Sequence, residues 1–355
     1  MTSMTSHERF RRTFARQETD RLLMWDFPWP GTLKRWRREG MPADISYEDF
    51  FDVDHVARIE VDNSPRYPQT VVEDNAEFKT VLTSWGCKER NFKHEDSTPD
   101  FMDYTIIDAD RWRAAKSRMT LVADRVPWDH LKANYRTWRA DGKWILADTW
   151  FGFNHFISYV VGTERFLMYM LEEPELCKDM IDHSLDLNLK LLDLAWDAGY
   201  TFDMLNIRDD LGYKQTQFFS TATYREIVKP AHQRAVDWAH GKGIKIRLHS
   251  CGYIMGLLPD ILELGFDAIH PLEVKAGMNP ATVKEKYGDK IVIHGGLNAM
   301  LWKDRDAIVA EMHRLVPILK QGGGYIFASD HSIPNDVSFQ NMSEIIRLAK
   351  ELGKN

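Results

Sequence analysis

His249 and Cys251 stand two residues apart at the close of a β-prone run (Ile244, Ile246, Leu248) in the stretch IKIRLHSCGYIMGLLPDILELGFDAIHPLE. Side chains two apart on a strand share a face, so one imidazole and one thiol can grip the same ion. Thiolate and imidazole are the ligands zinc prefers, and a catalytic zinc keeps a third protein ligand and an open position. Glu273 and His331, each at the end of a later strand, are the candidates to complete such a sphere. Two other readings stay open for the same pair: a Cys–His nucleophile, or a core histidine beside an ordinary buried cysteine. A lone His-x-Cys is a weak motif. Asp209-Asp210 closes another strand and offers paired carboxylates, one with a raised pKa suited to proton transfer; capping the next helix is the plainer role. Asn206 and Asp26 also fall at strand ends, as do Asp148, His270, His294 and Asp330.

These residues converge only if their strands lie parallel. From residue 135 onward the order is regular. A strand at Trp144–Ala147 precedes helices near 156–171 and 174–198, the second opened by Pro174. A strand at Phe202–Ile207 precedes a helix at 221–242, kinked near Pro230. After the His249 stretch come a strand at Lys290–His294, a helix at 307–320, a strand at Tyr325–Ser329 and a last helix at 338–352. Alternation of this kind implies a parallel sheet wrapped by helices. The number of strands favours a (β/α)8 TIM barrel over a doubly wound sheet, and its active face is the C-terminal ends of the strands. Gly322-Gly323-Gly324 precedes a strand and so is a turn, not a dinucleotide loop.

The first half reads less regularly. Residues 6–20 predict an amphipathic helix capped from Ser6, and Leu22–Phe27 a buried first strand that puts Asp26 at its C-terminal end. A basic helix (Leu33–Arg38) and an acidic segment (Tyr47–Val53) follow. VVEDNAEFKTVLTSWGCKER predicts a β-hairpin turning at Asp-Asn, and Asp108–Arg118 a helix. We expect a single barrel domain over 1–355, with 32–130 carrying insertions.

The 355 residues are 44% hydrophobic and 28% charged, with a net charge of −7 and dispersed Lys and Arg. That is an ordinary soluble composition and argues against a nucleic-acid surface. No apolar run reaches membrane length and the N-terminus lacks a signal-type apolar segment. Three cysteines are too few for a disulfide framework and fit a reducing, cytoplasmic setting. The twelve tryptophans, many before residue 151, suit either an aromatic cap over a pocket or plain core packing.

The ordered segments SHERFRRTF, DRLLMW, IRDDLG, LHSCGYIMGLLPDILELGFDAIHPLE, IVIHGGLN and GGGYIFASDHSIPNDV resemble the uroporphyrinogen decarboxylase superfamily over nearly the whole chain. The resemblance implies a barrel with its cleft at the strand C-termini. One branch of that superfamily decarboxylates a tetrapyrrole without a cofactor. The other comprises zinc-dependent methyltransferases that work with a methylcobalamin-carrying corrinoid protein. The decarboxylases' arginine-rich segment after the first strand is replaced here by Trp25-Asp26-Phe27-Pro28-Trp29-Pro30, which would remove charge-assisted partners for carboxylates. His249 and Cys251 match the methyltransferases' zinc pair and Glu273 their glutamate, whereas His331 stands where a late cysteine is usual.

The resemblance therefore implies a zinc-assisted methyltransferase exchanging a methyl group between a corrinoid protein and a small-molecule donor or acceptor, O-demethylation among the options. Zinc is expected on His249, Cys251, Glu273 and His331, and substrate or proton handling from Asp209, Asp210, Asn206 and Asp26. The corrinoid would ride on a partner protein, since no DxHxxG is present. A homodimer is compatible. The alternative is a metal-independent decarboxylase-like enzyme acting on a tetrapyrrole or another carboxylic acid.

Overall fold

A computed structural model describes residues 3–94 and 96–354. In chain order its strands are β1 (Leu23–Met24), β2 (Val56–Glu60), β3 (Thr70–Asp74), β4 (Phe78–Leu82), β5 (Lys88–Phe92), β6 (Asp100–Met102), β7 (Trp144–Trp150), β8 (Met204–Arg208), β9 (Lys245–His249), β10 (Ala268–His270), β11 (Val292–His294) and β12 (Tyr325–Phe327). Eight of them form one parallel sheet in the order β1-β12-β11-β10-β9-β8-β7-β2, the TIM-barrel-like α/β fold expected. The end strands β1 and β2 share no ladder. Asp54 joins them instead: its N–H donates to the Met24 carbonyl at 2.9 Å and its carboxylate accepts from the Met24 N–H at 2.9 Å. Arg9 and Arg21 neutralise that buried carboxylate.

Alternation along the strands sorts the two faces. Ile145, Ala147, Leu205, Ile207, Ile246 and Leu248 point outward into the main core beneath the helices. Leu23, Trp25, Trp144, Leu146, Met204, Ala268, Val292 and Ile326 fill the barrel floor. The helix Ser6–Phe14 plugs that floor from below. Phe10 stacks on Trp144 at 4.9 Å and Phe14 at 5.9 Å, and each such buried side chain stabilises by roughly 2 kcal/mol. Trp25 and Trp144 are thus packing residues of the floor. Among the described residues no helix is long and apolar enough to cross a membrane.

Several elements differ from the sequence expectation. The first helix stops at Phe14, not 20, because Arg16 takes a left-handed backbone (φ 54°); its cap is Thr5, not Ser6. The hairpin forms at β3–β4, and pairing continues through β5 and β6 into a four-stranded antiparallel sheet. The helix expected at 156–171 is broken into a short turn at Phe153–His155, a π turn at Phe156–Val160 and, after Gly162, the helix Thr163–Glu172. A second π turn, Tyr224–Val228, precedes Pro230 and is the kink expected there; the proline's missing N–H and its ring disrupt the i−4 ladder.

Candidate metal centre and barrel mouth

The inner face of the barrel carries two polar rows above the floor. Strand register aligns Glu60, Asp148, Asn206 and Arg247 in one, and Trp150, Arg208, His249 and His270 in the next. In the lower row Asn206 donates to Asp148 at 2.6 Å and accepts from Arg247 Nε at 2.8 Å. Arg247 then meets His294 Nδ1 at 2.6 Å, and His294 Nε2 donates to the Trp25 carbonyl at 2.7 Å. That chain fixes His294 as a neutral Nε2–H tautomer; burial, then the Arg247 charge, hold its pKa far below the ordinary histidine value. Arg58 and Arg208 both face the fully buried Asp148 carboxylate, Arg58 at 3.6 Å and Arg208 through Nε at 3.0 Å.

Above them, β9 ends on His249 and the loop after it holds Cys251. His249 Nε2 lies 3.5 Å from Cys251 Sγ and 3.5 Å from Asp210 Oδ1. Donor atoms around one tetrahedral zinc, with bonds of about 2.0–2.3 Å, stand roughly 3.4–3.6 Å apart. Among the described residues Asp210, His249 and Cys251 are the group with metal-ligand spacing, and the donor set fits zinc. The other nitrogen of His249, Nδ1, is 2.7 Å from His270 Nδ1, the kind of outer partner that sets the tautomer of a metal-binding imidazole.

Electrostatics point the same way. Burial first, then Asp210 and Glu273, push the Cys251 thiol well above its usual range, while burial and the Asp209 and Glu273 charges raise Asp210 to about 6. Burial, then Arg247, keeps His249 neutral. Two acidic groups and a neutral imidazole held together favour a cation among them.

Gly252 makes the approach possible. At φ 83° a Cβ there would lie 2.1 Å from the Gly212 carbonyl carbon, so only glycine lets this loop lie against the β8 loop and bring the Cys251 N–H to Asp210 Oδ1 at 2.8 Å.

Five expected site residues stand outside the cluster. Glu273 accepts from the Gly252 N–H at 2.6 Å and pairs with Lys275 at 3.2 Å; it braces the loop that carries Cys251. His331 Nδ1 is engaged by Ser332 Oγ at 2.8 Å. Asp209 turns away from the mouth, accepting from the Asn154 N–H at 2.7 Å and meeting His232 at 3.0 Å, with Tyr224 behind that histidine. Asp210 was expected to handle protons and is the third member of the metal-type cluster. Asn206 lies in the lower row, one layer beneath. Asp26, raised to about 6 by burial, bridges β1 to β12 through the Ser329 N–H at 2.6 Å.

Sequence reading missed Arg58, Arg208 and Arg247. The segment after β1 does lack arginines, but β2, β8 and β9 bring these three into the mouth. The signal was present in β9, where Arg247 is two residues before His249 and so shares its face.

A barrel whose mouth gathers a thiol, imidazoles, carboxylates and guanidiniums at the strand C-termini is built as an active site of the TIM-barrel type. The chain belongs to the uroporphyrinogen decarboxylase (URO-D) family, whose model matches residues 94–352. Among solved structures it is similar to a methyltransferase from Methanosarcina mazei, at 15% identity, covering 98% of this chain and 99% of that one with a TM-score of 0.66. Looser likenesses are an endoglucanase from Clostridium longisporum (11% identity, covering 99% and 100%, TM-score 0.35) and a B12-independent methionine synthase from a Shewanella species (8% identity, covering 86% and 83%, TM-score 0.30). These two do not bear on the site. No curated protein matches the sequence.

Proposed function

We propose that this protein is a zinc-assisted methyltransferase that exchanges a methyl group between a corrinoid carried by a partner protein and a small-molecule donor or acceptor. The observation that carries the reading is the spacing of Cys251 Sγ, His249 Nε2 and Asp210 Oδ1 at the mouth. These three residues would hold the metal, with Glu273 and His331 in the adjoining loops. When bound, zinc supplies Lewis acidity that favours a thiolate acceptor or an alkoxide leaving group at neutral pH.

The chain's own residues do the rest. With His249 Nδ1 donating to His270 Nδ1, 2.7 Å away, His249 Nε2 would carry the lone pair the cluster needs. The Cys251 N–H, donating to Asp210 Oδ1 at 2.8 Å, keeps that carboxylate turned toward the cluster. Glu273, through the Gly252 N–H, keeps Cys251 in place. Arg58 and Arg208, 30% and 27% exposed, present cationic edges that orient an anionic group of the substrate.

Zinc content of protein purified without a metal-affinity tag tests the reading. About one equivalent per chain is expected, falling sharply in His249→Ala and Cys251→Ala. Less than about 0.2 equivalents, unchanged by either substitution, would sink it.

One observation favours a second reading, metal-independent decarboxylation of a carboxylic acid: Arg58 and Arg208 both reach the Asp148 carboxylate and both stay partly exposed. Turnover of a carboxylate substrate undiminished by chelator would select it.

A further inference from the structure

Along β8, inward and outward side chains alternate. Met204, Asn206 and Arg208 face the barrel interior, and Leu205 and Ile207 face the helices. The Asp209 N–H continues the pairing, donating to the His249 carbonyl at 2.9 Å, so the same alternation sends Asp209 outward and Asp210 inward. The two carboxylates are chemically identical, and a slip of one residue would exchange them. Which of them reaches Cys251 and His249 is therefore decided by what holds each side of the strand.

On the outward side, Asp209 is fully buried and accepts from the Asn154 N–H at 2.7 Å and from His232 Nε2 at 3.0 Å. A carboxylate accepting at both oxygens leaves His232 Nδ1 as an acceptor, and the Tyr224 hydroxyl donates to it at 3.0 Å. His232 and Tyr224 are fully buried too. His232 belongs to the helix Lys229–Gly241, and Tyr224 opens the second π turn; such turns recur at functional sites. Gly152 clears the space, since a Cβ there would stand 2.4 Å from Asp209 Oδ2. The helix can dock on the barrel through Ala231, Ala235 and Val236 alone; the polar chain adds direction. A slip that brought Asp209 to the mouth would turn Arg208 onto the His232 side, away from the buried Asp148, and strand both charges.

We propose that His232, oriented by Tyr224, is a positioning residue for the metal-type cluster: by holding Asp209 on the helix side, it locks the β8 register that turns Asp210 toward His249 and Cys251. The inference rests on the zinc reading above and adds to it a buried residue that touches neither metal nor substrate. His232 acts through Asp210 alone, which separates this role from general packing. Once the Asp210 carboxylate is gone, the lock has nothing left to position.

Co2+ titration of chelator-treated full-length protein, followed by absorbance, tests this, because Co2+ accepts the same imidazole, thiolate and carboxylate ligands. The parent is expected to bind Co2+ with a thiolate band that disappears in Cys251→Ala. His232→Leu should weaken Co2+ by about tenfold or more, the range for outer partners of metal ligands. His232→Gln, whose amide N–H can replace Nε2–H at Asp209, should recover most of that loss. Added to Asp210→Ala, His232→Leu should weaken Co2+ no further, since two changes acting through one contact do not add. Tyr224→Phe removes only a hydroxyl; it should weaken Co2+ in the same Asp210-dependent way, and it carries the test should His232→Leu fail to fold. Parent-like affinity in the folded lock variants, no recovery in His232→Gln, or full additivity on Asp210→Ala would overturn the proposal and leave the zinc reading standing. A parent that binds no Co2+, or binds it regardless of Cys251→Ala, would overturn both.

Discussion

Asp148 is the residue on which the cations of the mouth depend. Its carboxylate is fully buried and faces Arg58, Arg208 and the Asn206 amide. Removing one partner of a buried charge set leaves the others desolvated and unpaired, which typically costs about 3–5 kcal/mol. Asp148→Ala should lower urea-unfolding stability by that order. Arg58→Ala removes a guanidinium that is 30% exposed, so after solvent screening it should cost about 1 kcal/mol or less. Equal losses in the two variants would show that Asp148 is not the hub. At this scale the sequence was partly readable. His249 and Cys251 were found because their spacing on a strand is itself a chemical statement. Asp209 and Asp210 looked equivalent, since nothing in two adjacent aspartates tells which one His232 will claim.

At the scale of elements, the strands that were hardest to see are those that face the mouth. In VARIE, the inward Arg58 and Glu60 interrupt the apolar pattern, so β2 does not read as a strand even though Ile59 is fully buried. β7, β8 and β9 were legible because aliphatic side chains recur at every second position on their outward faces, Thr149 excepted. β1 was found but overextended: only Leu23–Met24 form the strand, although the Trp25 N–H still reaches the Phe327 carbonyl at 3.1 Å. Asp54 links β1 and β2 through its backbone and its side chain; it is 1% exposed and pairs with Arg9 and Arg21. Asp54→Ala would take one of two carboxylate partners from the buried Arg9, which keeps Asp20 at 2.8 Å, leave the Met24 N–H unmet and loosen this seam. A loss of about 3–5 kcal/mol is expected, together with faster amide exchange in β1 and β2 than in β8. A variant as stable as the parent, with unchanged exchange at the seam, would refute a closing role.

At the scale of the whole molecule, the barrel itself was readable because strand–helix alternation is a long-range regularity that survives local errors. The antiparallel sheet β3–β6 was not, beyond its first hairpin. β3 is exposed along its whole length, so it lacks the buried face from which strands are recognised.

Global stability also carries a pH signature that one buried group should dominate in difference measurements. His155 is neutral in the fold, with a pKa near 3 set by burial alone, whereas an unfolded histidine takes up its proton near 6.5. Between those values the unfolded chain binds the extra proton, so stability falls as pH drops below 6.5 and the loss is complete near pH 3. At pH 5 the contribution is about 2 kcal/mol relative to neutral pH, and it barely changes as long as the folded pKa stays below about 4. His155→Phe abolishes this term. Urea unfolding at pH 7 and pH 5 should therefore show the parent losing about 2 kcal/mol more than the variant. An identical loss in both would mean that the imidazole of the folded protein can be protonated at pH 5, so that burial does not hold it neutral.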